Sequence, residues 1–217
     1  VWRWAIDRPL RQVVTGIGLF LLLLTAPFGG WAKAPATATG PERFAVGKPM
    51  TLGPLELTVD RASWNTDPSN TFGPSKVGAY LLVIGHLRNS SNAMVPVGVM
   101  KDHLRLTGLT NVLASMDVTD PKENPVPPDK ADYTLYNAPD TTVLSSVAPG
   151  LTYEVAYVFE VKGTTLPDRV TVDTFGYTWR KSSLDQTEMW LDRTPVGTVT
   201  VPLHEGVKHS HAPTSTP

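Results

Sequence analysis

Five carboxylates crowd one stretch of the chain, Asp117, Asp120, Glu123, Asp129 and Asp132. Carboxylate oxygens are the hard ligands that a calcium ion takes, but this spacing matches no EF-hand loop. Lys122 and Lys130 offset part of the charge, so the simpler reading is a solvated acidic loop. His209 and His211, with His204 upstream, would hold a divalent metal only weakly, because a structural zinc site needs four defined ligands. An inert tail is the simpler account of them. His86 and His103 fall inside strand patterns, where a hydrogen-bonded structural role is the commoner one. Trp64, Trp179 and Trp190 would suit a ligand groove, although in layered β proteins large aromatics more often fill the core between sheets. Thiol chemistry is excluded, since there is no cysteine. The sequence has no Gly-x-Ser-x-Gly elbow, Ser-x-x-Lys set, His-Glu-x-x-His pair, phosphate loop or dinucleotide fingerprint. The expectation is therefore a protein that is not an enzyme and carries no cofactor and no metal.

The elements that would position these side chains follow from composition and period. The 217 residues include 19 Lys+Arg and 20 Asp+Glu, for a net charge of -1, with 17 Gly and 20 Pro. That length suits one domain with a tail or anchor. The charge balance leaves no electrostatic footprint for nucleic acid. Few charges and many prolines argue for a loop-rich β protein over long solvated helices.

Residues 1–34 differ in kind from the rest. Arg3, Arg8 and Arg11 precede an uncharged run of 20 residues from Val13 to Ala32. As a helix this run would span roughly 30 Å, the hydrocarbon thickness of a bilayer. Positive charge before the run orients the N-terminal side inward and the following chain outward. Two outcomes remain open, a signal anchor that stays and a signal peptide that is removed. The anchor is favoured by the length of the run and by Trp2, Trp4 and Trp31 at its flanks, placed as membrane-interface aromatics are. Pro35 also disfavours cleavage after Ala34, because a proline lacks the N–H that a strand-like substrate donates. The chain beyond this segment is mildly acidic, so charge alone would not hold it to an anionic lipid surface.

Residues 35–43 read as a linker of small residues and proline, residues 44–203 as the folded domain, and residues 204–217 as a disordered tail. Inside the domain the dominant period is two. Leu55, Leu57 and Val59 alternate with Glu56, Thr58 and Asp60; Tyr153, Val155, Tyr157, Phe159 and Val161 alternate with their neighbours; Val170 and Val172, then Val199 and Val201, repeat the pattern. Such alternation turns one side-chain set inward and the other to water. Ala79 to Leu87 is apolar on both faces and suits a central strand. Further strands are predicted at Met94–Val99, His103–Thr107, Val112–Met116, Thr142–Val147, Gly176–Arg180 and Glu188–Asp192, with one helical turn open at Ser183–Glu188. The fold class is all-β, a sandwich preceded by one N-terminal transmembrane or signal helix.

The order of these blocks resembles a family of exported bacterial immunoglobulin-like domains, common in Gram-positive bacteria and actinobacteria. It includes an actinobacterial secreted immunoprotective antigen and related domains of unknown function. The residues that carry the resemblance are Phe44 to Val59, Tyr80 to Ser91, Asp102 to Leu106, and Val147 to Val161 with Pro167 to Val172. The resemblance implies an opening hairpin, a central strand ending in an Asn turn, and a Pro-Gly turn feeding a second central strand. It implies no catalytic residues. The chain departs from the pattern in having Leu106-Thr-Gly108 where an Asp-Gly turn is usual, and in a long insertion at residues 118–140.

Loops of that length inside a domain are often functional. Tyr133, Leu135 and Tyr136 would form an exposed partner-contact patch there, or would pack back on the sandwich. The functional expectation is a non-enzymatic, extracytoplasmic interaction or accessory module of the cell envelope. It is single-pass, tethered in the cell membrane by its N-terminal helix, and meets an envelope protein partner. The alternative is a secreted small-molecule or carbohydrate binder with its signal peptide removed.

Overall fold

The computed structural model describes residues 41–68, 73–116, 120 and 122–206. The N-terminal segment with Trp2, Trp4 and Trp31 lies outside the described residues, as do Asp117, His209 and His211. Among the described residues no helix is long and apolar enough to cross a membrane.

Twelve strands make up the described chain: β1 (Glu42–Phe44), β2 (Pro49–Thr51), β3 (Leu55–Asn65), β4 (Gly78–Asn89), β5 (Val95–Pro96), β6 (Leu104–Thr107), β7 (Thr134–Asn137), β8 (Thr142–Val143), β9 (Ser146–Val147), β10 (Thr152–Lys162), β11 (Arg169–Lys181) and β12 (Glu188–Glu205). One hydrogen-bonded path runs β6-β11-β12-β3-β4-β10-β7-β8, with β1 on β12 and β2 on β3, and β5 pairs separately with β9. The sheet is mixed. The long β12 is antiparallel to β11 from Glu188 to Pro202, then continues parallel to β3 through Leu203, His204 and Glu205. One strand thus belongs to two layers in turn, as at the corners of sandwiches. The first layer is β6-β11-β12-β1, and the second is β2-β3-β4-β10-β7-β8.

Between the layers lies one apolar core. It takes Leu55, Leu57 and Val59 from β3, Val155, Tyr157, Phe159 and Val161 from β10, Val170 and Val172 from β11, and Val199 and Val201 from β12. The period-two pattern places these side chains inward, where burial of each is worth about 1.5–3 kcal/mol. Strand β10 departs from the expected half-solvated pattern, since Ala156, Val158 and Glu160 are buried as well. The reason is a second, smaller apolar cluster on its outer face, where Met116, Tyr136 and Ala138 pack against Tyr80, Ala156 and Val158.

Several boundaries differ from the sequence reading. Met94–Val99 forms only the short β5 before a 3-10 turn, Val97–Met100. Val112–Met116 contributes one bridge, Val112 to Val161. Thr142–Val147 is split between β8 and β9. The domain begins at Glu42, within the expected linker, and its last strand runs on to Glu205. The long insertion is not loop throughout, because its segment Thr134–Asn137 is β7, bonded along β10 from Val155 to Val158.

Strand β1 enters parallel to β12, with Glu42 beside Gly197 and Phe44 beside Val199. A Cβ on Gly197 would stand 2.4 Å from a ring carbon of Phe44 and 2.6 Å from the Glu42 carbonyl oxygen, so this crossing requires glycine. The parallel sense directs the N-terminal side of β1 toward the start of β12, and therefore toward the β11–β12 hairpin.

Candidate functional site at one end of the sandwich

The β11–β12 hairpin closes through a tight loop. Ser182 N–H donates to the Thr187 carbonyl, and Gln186 N–H donates to the Ser182 carbonyl at 3.1 Å. The Asp185 carboxylate accepts from Thr187 Oγ1 at 2.7 Å and from Thr187 N–H at 3.2 Å. Its pKa is held below the ordinary carboxylate range by the Thr187 hydroxyl first, and then by Ser182. With the polar groups of the loop spent on one another, Leu184 points outward and is 95% exposed.

Below the tip, Trp179 and Trp190 are register partners, with ring centroids 5.2 Å apart at 61°, an edge-to-face pair. Such aromatic pairs add about 0.5–1.5 kcal/mol beyond burial. Arg180 donates to both oxygens of Asp192, from Nη2 at 2.8 Å and from Nε. This bonding lowers the Asp192 carboxyl pKa and raises that of the Arg180 guanidinium. Lys181 is the register partner of Glu188, so opposite charges stand across the strands there, and Asp185 leaves the hairpin end with one more anion than cation.

The facing wall is built by Asn89, which is fully buried at the end of β4. Its amide nitrogen donates to the carbonyls of Ala93 at 2.7 Å and Val147 at 2.8 Å. Its amide oxygen accepts from Ser91 N–H at 2.9 Å and Ser91 Oγ at 2.7 Å. These four bonds fix the turn that delivers Ser91 to Pro96. Between that segment and the hairpin lies a groove of about 420 Å³, bounded by Met94, Val95, Trp179, Met189 and Trp190, with Ser91, Asn92 and Glu188 as its main polar groups. Met94 is 62% and Trp179 51% exposed. Leu151, also exposed, sits at the same end, where its carbonyl accepts from Asn89 N–H. Of the seven exposed large hydrophobics among the described residues, Met94, Leu151, Trp179, Leu184 and Met189 share this end; Val46 and Val143 do not. In general, exposed apolar side chains gathered in one patch are the kind of surface at which contacts form.

The residues singled out from sequence lie elsewhere or divide. Tyr133 and Leu135 are buried, so they cannot present a patch to a partner; Tyr136 is half-buried over the outer face of β10. The cause is the pairing of β7 with β10, which turns Leu135 inward. The Tyr133 hydroxyl donates to the Lys101 carbonyl and lies 3.3 Å from His103 Nδ1. His103 Nε2 is 2.7 Å from the Tyr157 hydroxyl. Burial raises the Tyr133 phenol pKa, helped by Tyr157 and Asp102, and burial raises that of Tyr157.

Trp64 is half-buried against the core, as large aromatics usually are, whereas Trp179 and Trp190 are not core residues. Asp132 is paired with Lys101. Among the described residues no group of three or more His, Asp or Glu is placed to hold a metal ion. His204 is an exposed strand residue, and His86 Nδ1 bonds Asp60 at 2.7 Å. The sequence offers Trp179 and Trp190 as groove residues only as the less favoured reading beside the core. The signal for the groove is the symmetric placement of Trp179 and Trp190 about a polar turn, once Gly176–Arg180 and Glu188–Asp192 are paired as one hairpin.

No protein-family model and no curated protein matches the sequence. Among solved structures, the chain is similar to an uncharacterised β-sandwich protein from Clostridium difficile 630, with a TM-score of 0.43 and 11% identity over 78% of this chain and 99% of that one.

Proposed function

We propose that this protein is a non-enzymatic contact module of the bacterial cell envelope. In this reading it is an immunoglobulin-like sandwich held outside the cytoplasmic membrane by one N-terminal helix, and it works by binding an envelope component. The observation that carries the reading is the apolar end, where Trp179, Met189, Trp190 and Met94 surround an open groove. Tryptophan and methionine are the side chains that interfaces favour, one for area and the other for adaptability. The uncharged run Val13–Ala32 and its flanking arginines support the tether.

Cell fractionation with impermeant labelling tests this. The chain has no native cysteine, so Thr165→Cys gives a unique thiol at an exposed turn. A membrane-impermeant maleimide should label it in intact cells, in a membrane-pelleted chain that retains residues 13–32. Labelling only after lysis would refute export.

A secreted saccharide binder is the second reading, favoured by the half-exposed Trp179 ring beside the groove. It requires a soluble chain lacking the apolar segment and saccharide-dependent quenching of tryptophan fluorescence.

A further inference from the structure

We infer that the apolar end of the sandwich, with Leu184 at its tip, docks into the lipid interface of the membrane that holds the chain. This rests on the tethered reading above and names the component bound. Three observations converge on it.

The first is the character of the end itself. Leu184 is 95% exposed at the tip of the hairpin, and behind it stand Trp179, Met189 and Met94. Aliphatic tip and aromatic shoulder match the depth order of an interface, where tryptophan sits at headgroup level and leucine goes deeper. Leu184 projects beyond the groove, so a ligand confined to the groove would leave it in water.

The second is charge. Residues 179–192 hold two cations and three anions: Arg180 is paired with Asp192, Lys181 is the register partner of Glu188, and Asp185 is a carboxylate bonded to Thr187. This slight excess of negative charge disfavours an acidic macromolecule and an anionic lipid surface, whereas a zwitterionic headgroup layer carries no net charge to repel it.

The third is reach. The N-terminal side of β1 points toward the hairpin, because Glu42 lies beside Gly197 in parallel register. From Gly197 back to Trp190 is seven residues of β12, about 23 Å at ~3.3 Å per residue. The residues from Lys33 to Pro41 extend to at most about 30 Å. A chain anchored through Val13–Ala32 therefore has tether enough to set this end on the bilayer. The tether also raises the local concentration of lipid at this end without any added contact. The C-terminal end of β12 leaves from the opposite side of the domain, as does the β10–β11 turn.

The test uses the full chain reconstituted in phosphatidylcholine vesicles. A polarity-sensitive fluorophore is placed on Leu184→Cys, and in a second protein on Thr165→Cys in the β10–β11 turn. Both sites are exposed, and the chain has no other cysteine. The expected result is a blue shift at position 184, with loss of most of its emission when lipids carry nitroxide quenchers, and neither change at position 165. Co-flotation with vesicles but no quenching at 184 would overturn lipid docking and leave the tether standing. Failure to co-float would overturn both. A blue shift at 184 that grows with protein density and resists lipid-borne quenchers would identify a second copy as the occupant, and would equally overturn the proposal.

Discussion

A single side chain, Asn89, organises the wall opposite the tryptophans. It is buried, and its amide meets two carbonyls on one side and the Ser91 N–H and hydroxyl on the other. An amide can do this because it carries donors and an acceptor on one planar group. Asn89→Asp keeps the shape and replaces the donors with a carboxylate oxygen aimed at the carbonyls of Ala93 and Val147. A net cost of about 3 kcal/mol is expected at neutral pH, from two lost hydrogen bonds and a buried carboxylate whose second oxygen faces two carbonyls. Urea denaturation measures it. Stability within about 0.5 kcal/mol of the wild type would mean that these four bonds do not hold the turn. Because the turn carries Met94, the same variant should red-shift Trp179 and Trp190 emission as the groove opens. The buried His103 is a similar case of fixed chemistry. The Tyr133 hydroxyl is committed to the Lys101 carbonyl and lies 3.3 Å from Nδ1, and Nε2 is 2.7 Å from the Tyr157 hydroxyl.

At the scale of elements, the sandwich depends on one irregularity between β3 and β4. The register slips between Val59 and Arg61, so Asp60 is an extra residue on β3, and Gly85 faces the bulge. A Cβ on Gly85 would lie 2.0 Å from the Thr58 carbonyl oxygen, a backbone atom that cannot swing aside. Gly85→Ala is therefore expected to cost at least about 2 kcal/mol, as overpacking against backbone does. Removal of the exposed His86–Asp60 pair by His86→Ala should cost less than about 1 kcal/mol. Equal chemical-denaturation midpoints for the two variants would sink this account of the bulge.

Strands like β3, β11 and β12 are legible in sequence because one face is wet and the other dry. Gly85 and Gly197 are not, since their requirement comes from a neighbouring strand far away in the chain. Strand β7 was hidden for a related reason. Thr134–Asn137 follows Pro125, Pro127 and Pro128 in a polar stretch, and only its non-local pairing with β10 makes it a strand. The groove is the less favoured reading of Trp179 and Trp190 from sequence because large aromatics more often fill the core, and only their pairing near the hairpin tip leaves Trp179 half exposed.

For the whole molecule, the core carries its own pH limit. Tyr133 and Tyr157 bury their phenols between the layers, and burial raises both pKa values above the ordinary value near 10. The unfolded chain loses these protons near pH ~10 while the folded chain keeps them. The native state then binds more protons than the unfolded state, so stability is full below pH ~10 and declines above it, by up to about 1.4 kcal/mol per pH unit for each phenol. Tyr157→Phe removes one titrating group along with the hydrogen bond to His103. At pH 8 that variant should be less stable by about 1–2 kcal/mol, the cost of losing a hydrogen bond between buried groups. Between pH 10 and 11.5 its decline should be shallower than that of the wild type, so the two curves converge. Urea unfolding followed by far-ultraviolet circular dichroism, repeated from pH 8 to 11.5, gives both curves. Parallel declines would show that Tyr157 does not titrate on unfolding, and that some other group sets the alkaline limit of the sandwich.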